Sequence, residues 1–447
     1  MNDKDKIIKD LEKKIRELED EVKRLKKIEK ELEDTKKEFD EYKAKNPSQA
    51  SIPSFVKEDI NHVVKIPGQK AGHKAYSRRI PERIDDIKEL IPDHCPSCGT
   101  ALGTTQEIRS RYVTDLSLRI KTTNTRYDIH RKYCTTCKKI VEEPVPGVLP
   151  HARFGLNLML LIMYLRLGLS MPGAKVCELL RTLYDVSISE GEIVVVLKQL
   201  VVAFGDYYSC LEKIVKLSRV KHTDSTGWRI NGKNYFAWVF IAAGKVLYKI
   251  RKRNNSKVAL QLFGTKQQDK TLVVDRHSAF RTLAEKAGFL LQLCWAHILR
   301  DSKDLARDFG SEGKYVHKKL KETFDLANGL NHKGTSEQVD QLKAEIFLLT
   351  QKHYKHSMIR RFVNNLYYRD AENLFRFVTD PDVEPTNNIS ERELRKLVII
   401  RKISNGSRST RGANATAMLL SVVETIRFNK GNIIQELQKI LNITSGK

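Results

Sequence analysis

Three acidic residues stand in sequence contexts suited to binding divalent metal. Asp224 lies in VKHTDSTGW, inside a predicted strand, and Asp275 closes a second predicted strand in TLVVDRHSAF. Glu391, in PTNNISERELRK, is predicted to lie in the first turn of a basic helix. Two Mg²⁺ ions held by a few carboxylates can activate a water or a 3′-hydroxyl and stabilise the leaving oxygen of a phosphodiester. Each residue is one acid among 55, so the metal-site hypothesis depends on the elements around them.

The elements around the first two acids predict a sheet. Asn231-Gly232 is typical of a tight hairpin turn, because both residues tolerate positive φ. The strand that returns from this turn is rich in aromatic and β-branched residues. Three antiparallel strands followed by alternating helices and strands are the order of a ribonuclease-H-like domain. In that order the first and fourth strands are parallel neighbours, so we expect Asp224 and Asp275 to meet at one edge. The predicted elements are strands 220–225, 235–243 and 246–251, a helix 256–263, strand 271–275, a helix 278–287 and strand 290–294.

Several motifs, taken in order, resemble the Insertion-Sequence-66 family of DDE transposases. They are HTDSTGW, VVDRHSAF, CWAHILRD and PTNNISERELRK, followed by RKISNGSRSTRGANATAMLLSVVETIRFNKGN, and the resemblance covers roughly residues 50–440. It implies a ribonuclease-H-like core that cleaves and joins DNA with Mg²⁺ or Mn²⁺, with Asp224, Asp275 and Glu391 as the metal-binding triad. The chain departs from the family's usual pattern in two of these motifs. Ser225 stands where the family usually has Glu, and Arg276-His277 stands where it usually has Gly-Tyr.

Length and charge agree with a multidomain α+β protein that binds a polyanion. A chain of 447 residues exceeds one core and predicts two to four domains. The formal charge is +25, which is more than solubility requires. Residues 1–45 are neutral, with 15 Lys and Arg against 15 Asp and Glu. The positive charge therefore lies in the rest of the chain, including residues 386–447, which carry 11 basic and 4 acidic residues.

The first 45 residues predict a coiled coil. Apolar residues recur at alternating spacings of three and four, interrupted by Glu29 and continued at Phe39, while charged residues fill the other positions. Self-association is the function that this seam favours; the alternative is a single charged helix, free or folded back on the protein. Asn46-Pro47 ends the helix and begins a linker over residues 46–92. The seam residues are Ile8, Leu11, Ile15, Leu18, Val22, Leu25 and Leu32.

Four cysteines predict a zinc ribbon over residues 93–150. Two Cys-x-x-Cys pairs offer four thiolates for one tetrahedral Zn²⁺, and the segments 111–120 and 126–133 between them predict a hairpin. The spacing between the pairs is longer than in the commonest zinc sites, and redox pairs are the competing interpretation. The family resemblance also implies a zinc-binding segment here. The four thiols are Cys95, Cys98, Cys134 and Cys137, whereas Cys177, Cys210 and Cys294 are predicted to be buried structural thiols.

A helical block is predicted over residues 151–219. Ser189 and Glu192 form the capping-box pattern that begins a helix running towards Phe204. With the preceding helix, 171–184, it could form a DNA-reading helix-turn-helix. We favour a plain helical bundle, because VVVLKQLVV offers few donors to bases.

A predicted helical insertion, residues 295–384, separates the third acid from the first two. Glu391 lies near the start of the C-terminal segment, residues 385–447. The insertion interrupts the core, whose first part is 220–294. On its first helix, His297 and Arg300 share one face and could contact DNA or the scissile phosphate, although a single His on a helix is more often structural. Glu391 also has an alternative interpretation, in which Asn388 is an N-cap or Arg395 is its partner one turn later.

The combined interpretation is a polynucleotidyl transferase of a prokaryotic insertion sequence. It would cut the element's ends and direct the freed 3′-hydroxyl at target DNA, acting as a homo-oligomer with helper proteins from the same element. The alternatives are a catalytically inactive zinc-ribbon DNA-binding protein and a non-mobile nuclease of the same fold. No membrane segment or secretory signal is predicted, so we expect a cytoplasmic, nucleoid-associated protein. Arg408 and Arg411, in SRSTRG, are predicted to lie in a loop. The expected backbone-binding cations are Arg392, Arg395, Lys396, Arg401, Lys402, Arg408 and Arg411.

Overall fold

The computed structural model describes residues 122–441, apart from 137, 142 and 144, and a few single residues between 33 and 110. The chain divides into two units, Met1–Leu116 and Ser117–Lys447, and the strands and helices with described bounds belong to the second. The predicted coiled coil and linker, and three of the four zinc-ribbon cysteines, lie outside the described residues. Cys134 is described only as the end of a strand.

A five-stranded mixed sheet forms the centre of the second unit, and its order is β5-β4-β3-β6-β7. Strands β3, β4 and β5 are antiparallel, whereas β3, β6 and β7 are parallel. The predicted strand order is confirmed, and the first strand runs five residues further than predicted because it pairs with β4 as far as the hairpin turn. Asn231 and Gly232 both have positive φ there. The strands are Val220–Ile230 (β3), Lys233–Ala242 (β4), Lys245–Arg251 (β5), Thr271–Val274 (β6) and Leu290–Leu293 (β7).

The sheet separates two hydrophobic cores. Along β4, Trp238 and Phe240 enter one core, and Val239 and Ile241 enter the other, because successive strand residues point to opposite faces. Burial of both faces explains why the strand is apolar in nearly every position. The first core packs the helices of residues 256–287 and 295–379, and the second packs the helices of residues 156–203 and 388–440.

Helices cover both faces and follow the predicted segments closely. The segment predicted to be a helical insertion, 295–384, is helical as expected and consists of several helices. The α-helices in chain order are Leu156–Met163 (α1), Gly173–Tyr184 (α2), Glu190–Ala203 (α3), Gly205–Leu217 (α4), Ser256–Phe263 (α5), Ser278–Ala287 (α6), Trp295–Asp308 (α7), Gly310–Gly329 (α8), Ser336–Gln351 (α9), Ser357–Asn364 (α10), Arg376–Thr379 (α11), Asn388–Ser404 (α12), Thr410–Phe428 (α13) and Ile433–Ile440 (α14). Short π-helical segments, Tyr164–Gly168 and Asn365–Arg369, extend α1 and α10.

The predicted hairpin of the zinc ribbon is partly wrong. Two short strands, Lys132–Cys134 (β1) and Lys139–Val141 (β2), pair antiparallel around the second Cys-x-x-Cys. Residues 122–131 have no regular structure, so the strand predicted over 126–133 contributes only its end. Its alternating Tyr127 and Ile129 are exposed, so the alternation does not mark the buried face of a strand.

Two local predictions on the helices had different outcomes. The capping box at the start of α3 is confirmed, since the side chains of Ser189 and Glu192 each accept a hydrogen bond from the other's backbone N–H. The prediction that all three remaining cysteines are buried is wrong. Cys294 is buried and Cys177 is half-buried, but Cys210 is exposed, because Leu211 and Val215 form the core-facing side of α4.

Over the part of the chain that the structure describes, no single helix has the length and apolar character to cross a bilayer. The pair α3 and α4, bent by 59°, meets the length and composition test only when both helices are taken together.

Candidate active site

The sheet brings Asp224 and Asp275 to the same position on neighbouring strands. The parallel pairing of β3 and β6 runs to His222 opposite Val273. Each acid lies two residues beyond that pair, so both carboxylates come at the same edge of the sheet. The sequence-based expectation that the first and fourth strands place these acids together is confirmed in register.

The Asp224 carboxylate lies in an unfavourable electrostatic environment. Its pKa is raised to about 7, first by burial and then by the nearby Asp275 and Glu391 carboxylates, while the Ser225 backbone N–H, which donates to Oδ1, acts to lower it. The other two predicted acids therefore both act electrostatically on Asp224. A carboxylate with two acidic neighbours stabilises either a proton or a cation at this position.

Asp275 is held by the turn that leads into α6. Its Oδ1 accepts a hydrogen bond from the His277 backbone N–H at 3.1 Å. His277 is the N-cap of α6, and its Nδ1 accepts from the Ala279 N–H. Arg276 points elsewhere and contacts Asp370 at 3.0 Å. Arg276 and His277, which stand where the family usually has Gly-Tyr, thus have local structural roles beside Asp275.

Glu391 lies in the first turn of α12, as predicted, and faces the first helix of the insertion. Its Oε1 is 3.5 Å from His297 Nε2 and 3.8 Å from Arg300 Nη2. That oxygen is buried and has no hydrogen-bond partner in the described chain. The side chains that contact Glu391 are therefore those of His297 and Arg300, and none of the described ion pairs joins Glu391 to Arg395.

The capping interpretation of Glu391 is wrong. The N-cap of α12 is Asn387 rather than Asn388, and its side chain makes no cap hydrogen bond. The predicted cap was one residue too late because both positions carry Asn, and only the first is buried. Neither local explanation accounts for an acid at position 391.

Asn387 is the site residue that the sequence interpretation missed. Its Nδ2 donates to the Thr223 carbonyl at 2.9 Å, and its Oδ1 accepts from the Ser390 hydroxyl at 2.8 Å. Its backbone N–H donates to Cys294 Sγ at 3.1 Å, just after β7. One buried amide thus joins the Asp224 strand, the end of the sheet and the Glu391 helix. The only sequence signal is the Asn pair in PTNNIS, which does not reveal which Asn is buried.

His222 completes this connection. Its Nδ1 lies 3.3 Å from Asn387 Oδ1, and an amide oxygen only accepts, so Nδ1 carries the hydrogen. Burial lowers the pKa of His222 to about 4, which keeps the ring neutral near pH 7. The ring therefore acts as a hydrogen-bond donor that orients Asn387.

The donor set fits a divalent cation by chemistry and by charge. Carboxylate oxygens are the ligands that Mg²⁺ prefers, and a cation would relieve the mutual repulsion around Asp224. The buried Glu391 Oε1 is an acceptor without a hydrogen bond. Among the described residues, however, no three His, Cys, Asp or Glu side chains are already gathered around one point. The third carboxylate is instead engaged by His297 and Arg300.

The predicted backbone-binding cations divide into two groups. Lys396 lies 3.9 Å from the buried Glu424, Arg392 Nε lies 3.2 Å from Glu393, and Arg401 donates to the Gly227 carbonyl, so these three contribute to the fold. The others have exposed side chains on α12 and around the start of α13: Arg395, Lys402, Arg408 and Arg411.

Arg411 was predicted to lie in a loop, but it lies in the first turn of α13. Ser409 is the N-cap of that helix and accepts from the Gly412 N–H at 3.1 Å. The helix therefore begins at Thr410, earlier than the Gly in SRSTRG indicated.

Comparisons with known proteins extend this picture. The model of the transposase IS66 family matches residues 151–415, more than half of the chain and all three acids. No curated protein matches. One similar solved structure is the HTLV-2 integrase catalytic core domain in complex with magnesium. It is 14% identical with a TM-score of 0.15, and the match covers 21% of this chain and 71% of that one.

A second similar structure is the simian T-cell lymphotropic virus intasome in complex with PP2A regulatory subunit B56 gamma. It is 12% identical with a TM-score of 0.15, and the match covers 46% of this chain and 69% of that one. At these scores neither structure supports an argument about this site. The match to the family model, unlike these two structures, does support a conclusion, because it covers both sheet acids and the Glu391 helix. The chain belongs to the IS66 family of transposases.

Proposed function

We propose that the protein is a metal-dependent DDE transposase whose active site is formed by Asp224, Asp275 and Glu391. The observation that carries this proposal is the convergence of these acids from β3, the end of β6 and α12, so that Asp275 and Glu391 both raise the pKa of Asp224. The strand order and the position of the acids support a ribonuclease-H-like core. Coming from three separate elements, the acids are not explained by one local motif.

The proposed reaction has two steps. Water attacks a phosphorus at the element's end and the P–O3′ bond breaks, which leaves a 3′-hydroxyl on the element and a 5′-phosphate on the flank. The 3′-hydroxyl oxygen then attacks a target phosphorus, and the target's own 3′-oxygen leaves with the proton. Mg²⁺ or Mn²⁺, held by the three carboxylates, would activate the attacking oxygen and neutralise charge on the phosphate.

The protein's own groups position the reactants. Asn387 keeps α12 against β3, which sets Glu391 relative to Asp224. His297 and Arg300 flank the Glu391 carboxylate and are partly exposed, so they can contact a phosphate that approaches it. Exposed Arg395, Arg408 and Arg411 would hold the DNA backbone without reading sequence.

Further parts of the proposal concern residues that, apart from Cys134 and single positions, lie outside the described part of the chain. Cys95, Cys98, Cys134 and Cys137 would hold one Zn²⁺, and the heptad seam of residues 1–45 would join two protomers, since two element ends must be held together. Double-stranded DNA at the element ends and the target is the proposed partner, with helper proteins of the same element.

Three single variants test the triad. Asp224→Asn, Asp275→Asn and Glu391→Gln should each reduce Mg²⁺-dependent cleavage of a duplex carrying an element end by at least about a thousandfold, because each removes a metal-binding carboxylate. DNA binding should survive. Glu285→Gln changes an exposed acid on α6 and should leave cleavage unchanged. Full cleavage by one triad variant would remove that residue from the site.

The same assay separates a transposase from a nuclease. Supplied with an element end that is already cut, the wild-type protein should join its 3′-hydroxyl to target DNA. Hydrolysis without any joining would support a non-mobile nuclease instead.

A further inference from the structure

A cavity away from the three carboxylates is lined by four cationic side chains among nine residues. It lies between α4, β5 and α5 and has a volume of about 380 Å³. Lys213 and Lys216 come from α4, and Lys249 and Arg251 from β5. One acid, Glu212, also lines it. No step proposed above uses any of these residues.

The charges in the cavity are unbalanced. Glu212 is engaged in an ion pair with Lys249, whose side chain is only 14% exposed. Lys213 and Lys216 are exposed and three residues apart, so they lie on one face of α4. Within the described part of the chain neither has an acidic partner, and Arg251 donates only to a backbone carbonyl. The cavity therefore presents about three uncompensated positive charges.

The cavity lies two strands away from β3, on the face of the sheet opposite to the Asp224 side chain, because Asp224 pairs with Val239, which enters the other core. Trp238 on β4 pairs with Lys249 on one side and with Ser225, the neighbour of Asp224, on the other. Two strand spacings separate Ser225 from Lys249, which is about 10 Å between their backbones. The loop after β5 contacts β3, because the Ser225 hydroxyl donates to Asn254 Oδ1 at 2.8 Å.

The chemistry of the lining favours a phosphate backbone. Val258 and Leu262 supply the apolar wall, and Ser209 and Gln261 supply neutral polar groups, but none of the described residues lining the cavity is aromatic. A nucleobase would find no stacking surface there, whereas phosphates need only cations and hydrogen-bond donors. We propose that this cavity binds backbone phosphates of duplex DNA, at a position on the sheet two strands away from the strand that carries Asp224. This rests on the proposed function in so far as DNA is the substrate.

The test compares two double variants in metal-free buffer containing a chelator. Lys213→Gln/Lys216→Gln removes two cavity cations, and Lys318→Gln/Lys321→Gln removes two exposed lysines with the same helical spacing on α8. Affinity for a random-sequence duplex is measured as a function of NaCl concentration. The cavity variant should bind more weakly, and the slope of log K against log salt should become shallower by about 2, whereas the control should match the wild type.

A third variant is expected to raise the affinity for DNA rather than lower it. Glu212→Gln removes the only acid among the described lining residues and frees Lys249, so it should bind DNA more tightly than the wild type. Melting temperatures of all variants confirm that they are folded.

The outcomes separate the cavity from the proposed function. An unchanged slope in the cavity variant, or an equal change in the α8 control, would overturn the cavity as a DNA site while wild-type binding still supports a DNA-acting protein. Absence of DNA binding by the wild type would overturn both. Saturable binding of inorganic phosphate that is lost in the cavity variant, with an unchanged DNA slope, would assign the cavity to a small anion and overturn the DNA assignment.

Discussion

Two acidic sites in this protein contact the same turn, one through Asp275 and the other through Arg276, and their negative charge is balanced in opposite ways. At the sheet edge, the three acids come from neighbouring elements, and the described ion-pair contacts there, from His297 and Arg300, are made to Glu391. At Asp370, one fully buried carboxylate is surrounded by three arginines: Arg276, Arg281 and Arg369, at 3.0, 2.7 and 3.3 Å. The second arrangement is balanced by the protein itself. The first becomes balanced only when a cation or a proton arrives, as expected of a site built for ligands rather than for stability.

The largest expected difference is in stability. Asp370→Ala leaves three guanidinium groups without their buried partner, so we expect the free energy of unfolding to fall by about 3–5 kcal/mol. Asp301 is the other acid near Arg276; its side chain is half exposed and lies 3.6 Å from the guanidinium. Asp301→Ala should lower the free energy of unfolding by at most about 1 kcal/mol. Urea denaturation of both variants measures this. Equal losses would mean that Asp370 is not the centre of the cluster.

At the sheet edge, removing a carboxylate is expected to raise the free energy of unfolding rather than lower it. The pKa of Asp224 in the folded protein is about 7, above its ordinary value of 3.8, so between these values the folded state binds the proton more tightly. Wild-type stability therefore falls as pH rises from about 4 to about 7, and is flat above, as far as this group is concerned. Asp224→Asn lacks this loss and should become more stable than the wild type over that window, by at most about 4 kcal/mol at pH 7.

Chemical denaturation of Asp224→Asn and wild type at several pH values, without divalent metal, checks that expectation. A stability difference that stays constant between pH 4 and 8 would show that Asp224 is not destabilised by its neighbours, and the contrast with Asp370 would disappear.

A smaller effect is expected from the amide that holds the edge together. Asn387→Ala removes the hydrogen bonds to Thr223 and Ser390 and leaves their buried groups unpaired, which should cost about 1–3 kcal/mol. Asn388→Ala alters the exposed neighbour and should cost less than about 0.5 kcal/mol. Thermal unfolding of the two variants decides which Asn holds α12, and a larger loss for Asn388→Ala would contradict the assignment.

The smallest expected effect is stabilisation by metal. At ten times its dissociation constant, Mg²⁺ should stabilise the wild-type protein by about 1.4 kcal/mol, seen as a rise in melting temperature. Asp275→Asn should lose that rise and Glu285→Gln should keep it. A rise that persists in Asp275→Asn would place the ion elsewhere and remove the reason for leaving the sheet-edge acids uncompensated.

The sheet was predicted well from the sequence, because turns and buried strands are marked by residues that are adjacent in the chain. Asn231-Gly232 marks the turn, and β4 is apolar in nearly every position because it is buried on both faces. Side chains that connect distant segments were not predicted. Arg276 and Asp370 are 94 residues apart and Asn387 and Thr223 are 164 apart, and such pairs leave no periodic pattern in a single sequence. Arg411 was misplaced for a local reason, since a Ser-capped helix start competes with the loop that its glycine suggests.

The attachment of α12 at both ends has a consequence for how this family can vary in length. Its start is bound to β3 through Asn387 and Thr223, and the loop after its end is bound through Ser407, whose N–H donates to the Arg229 carbonyl at 2.9 Å. Gly406 fits there only without a side chain, since a Cβ would lie 2.3 Å from that carbonyl oxygen. The helix spans about 25 Å and the strand between its attachments about 20 Å. One inserted residue would turn the helix end by about 100° and break one attachment. Natural insertions and deletions should therefore be rare between 387 and 407, and common in the helical segment before it.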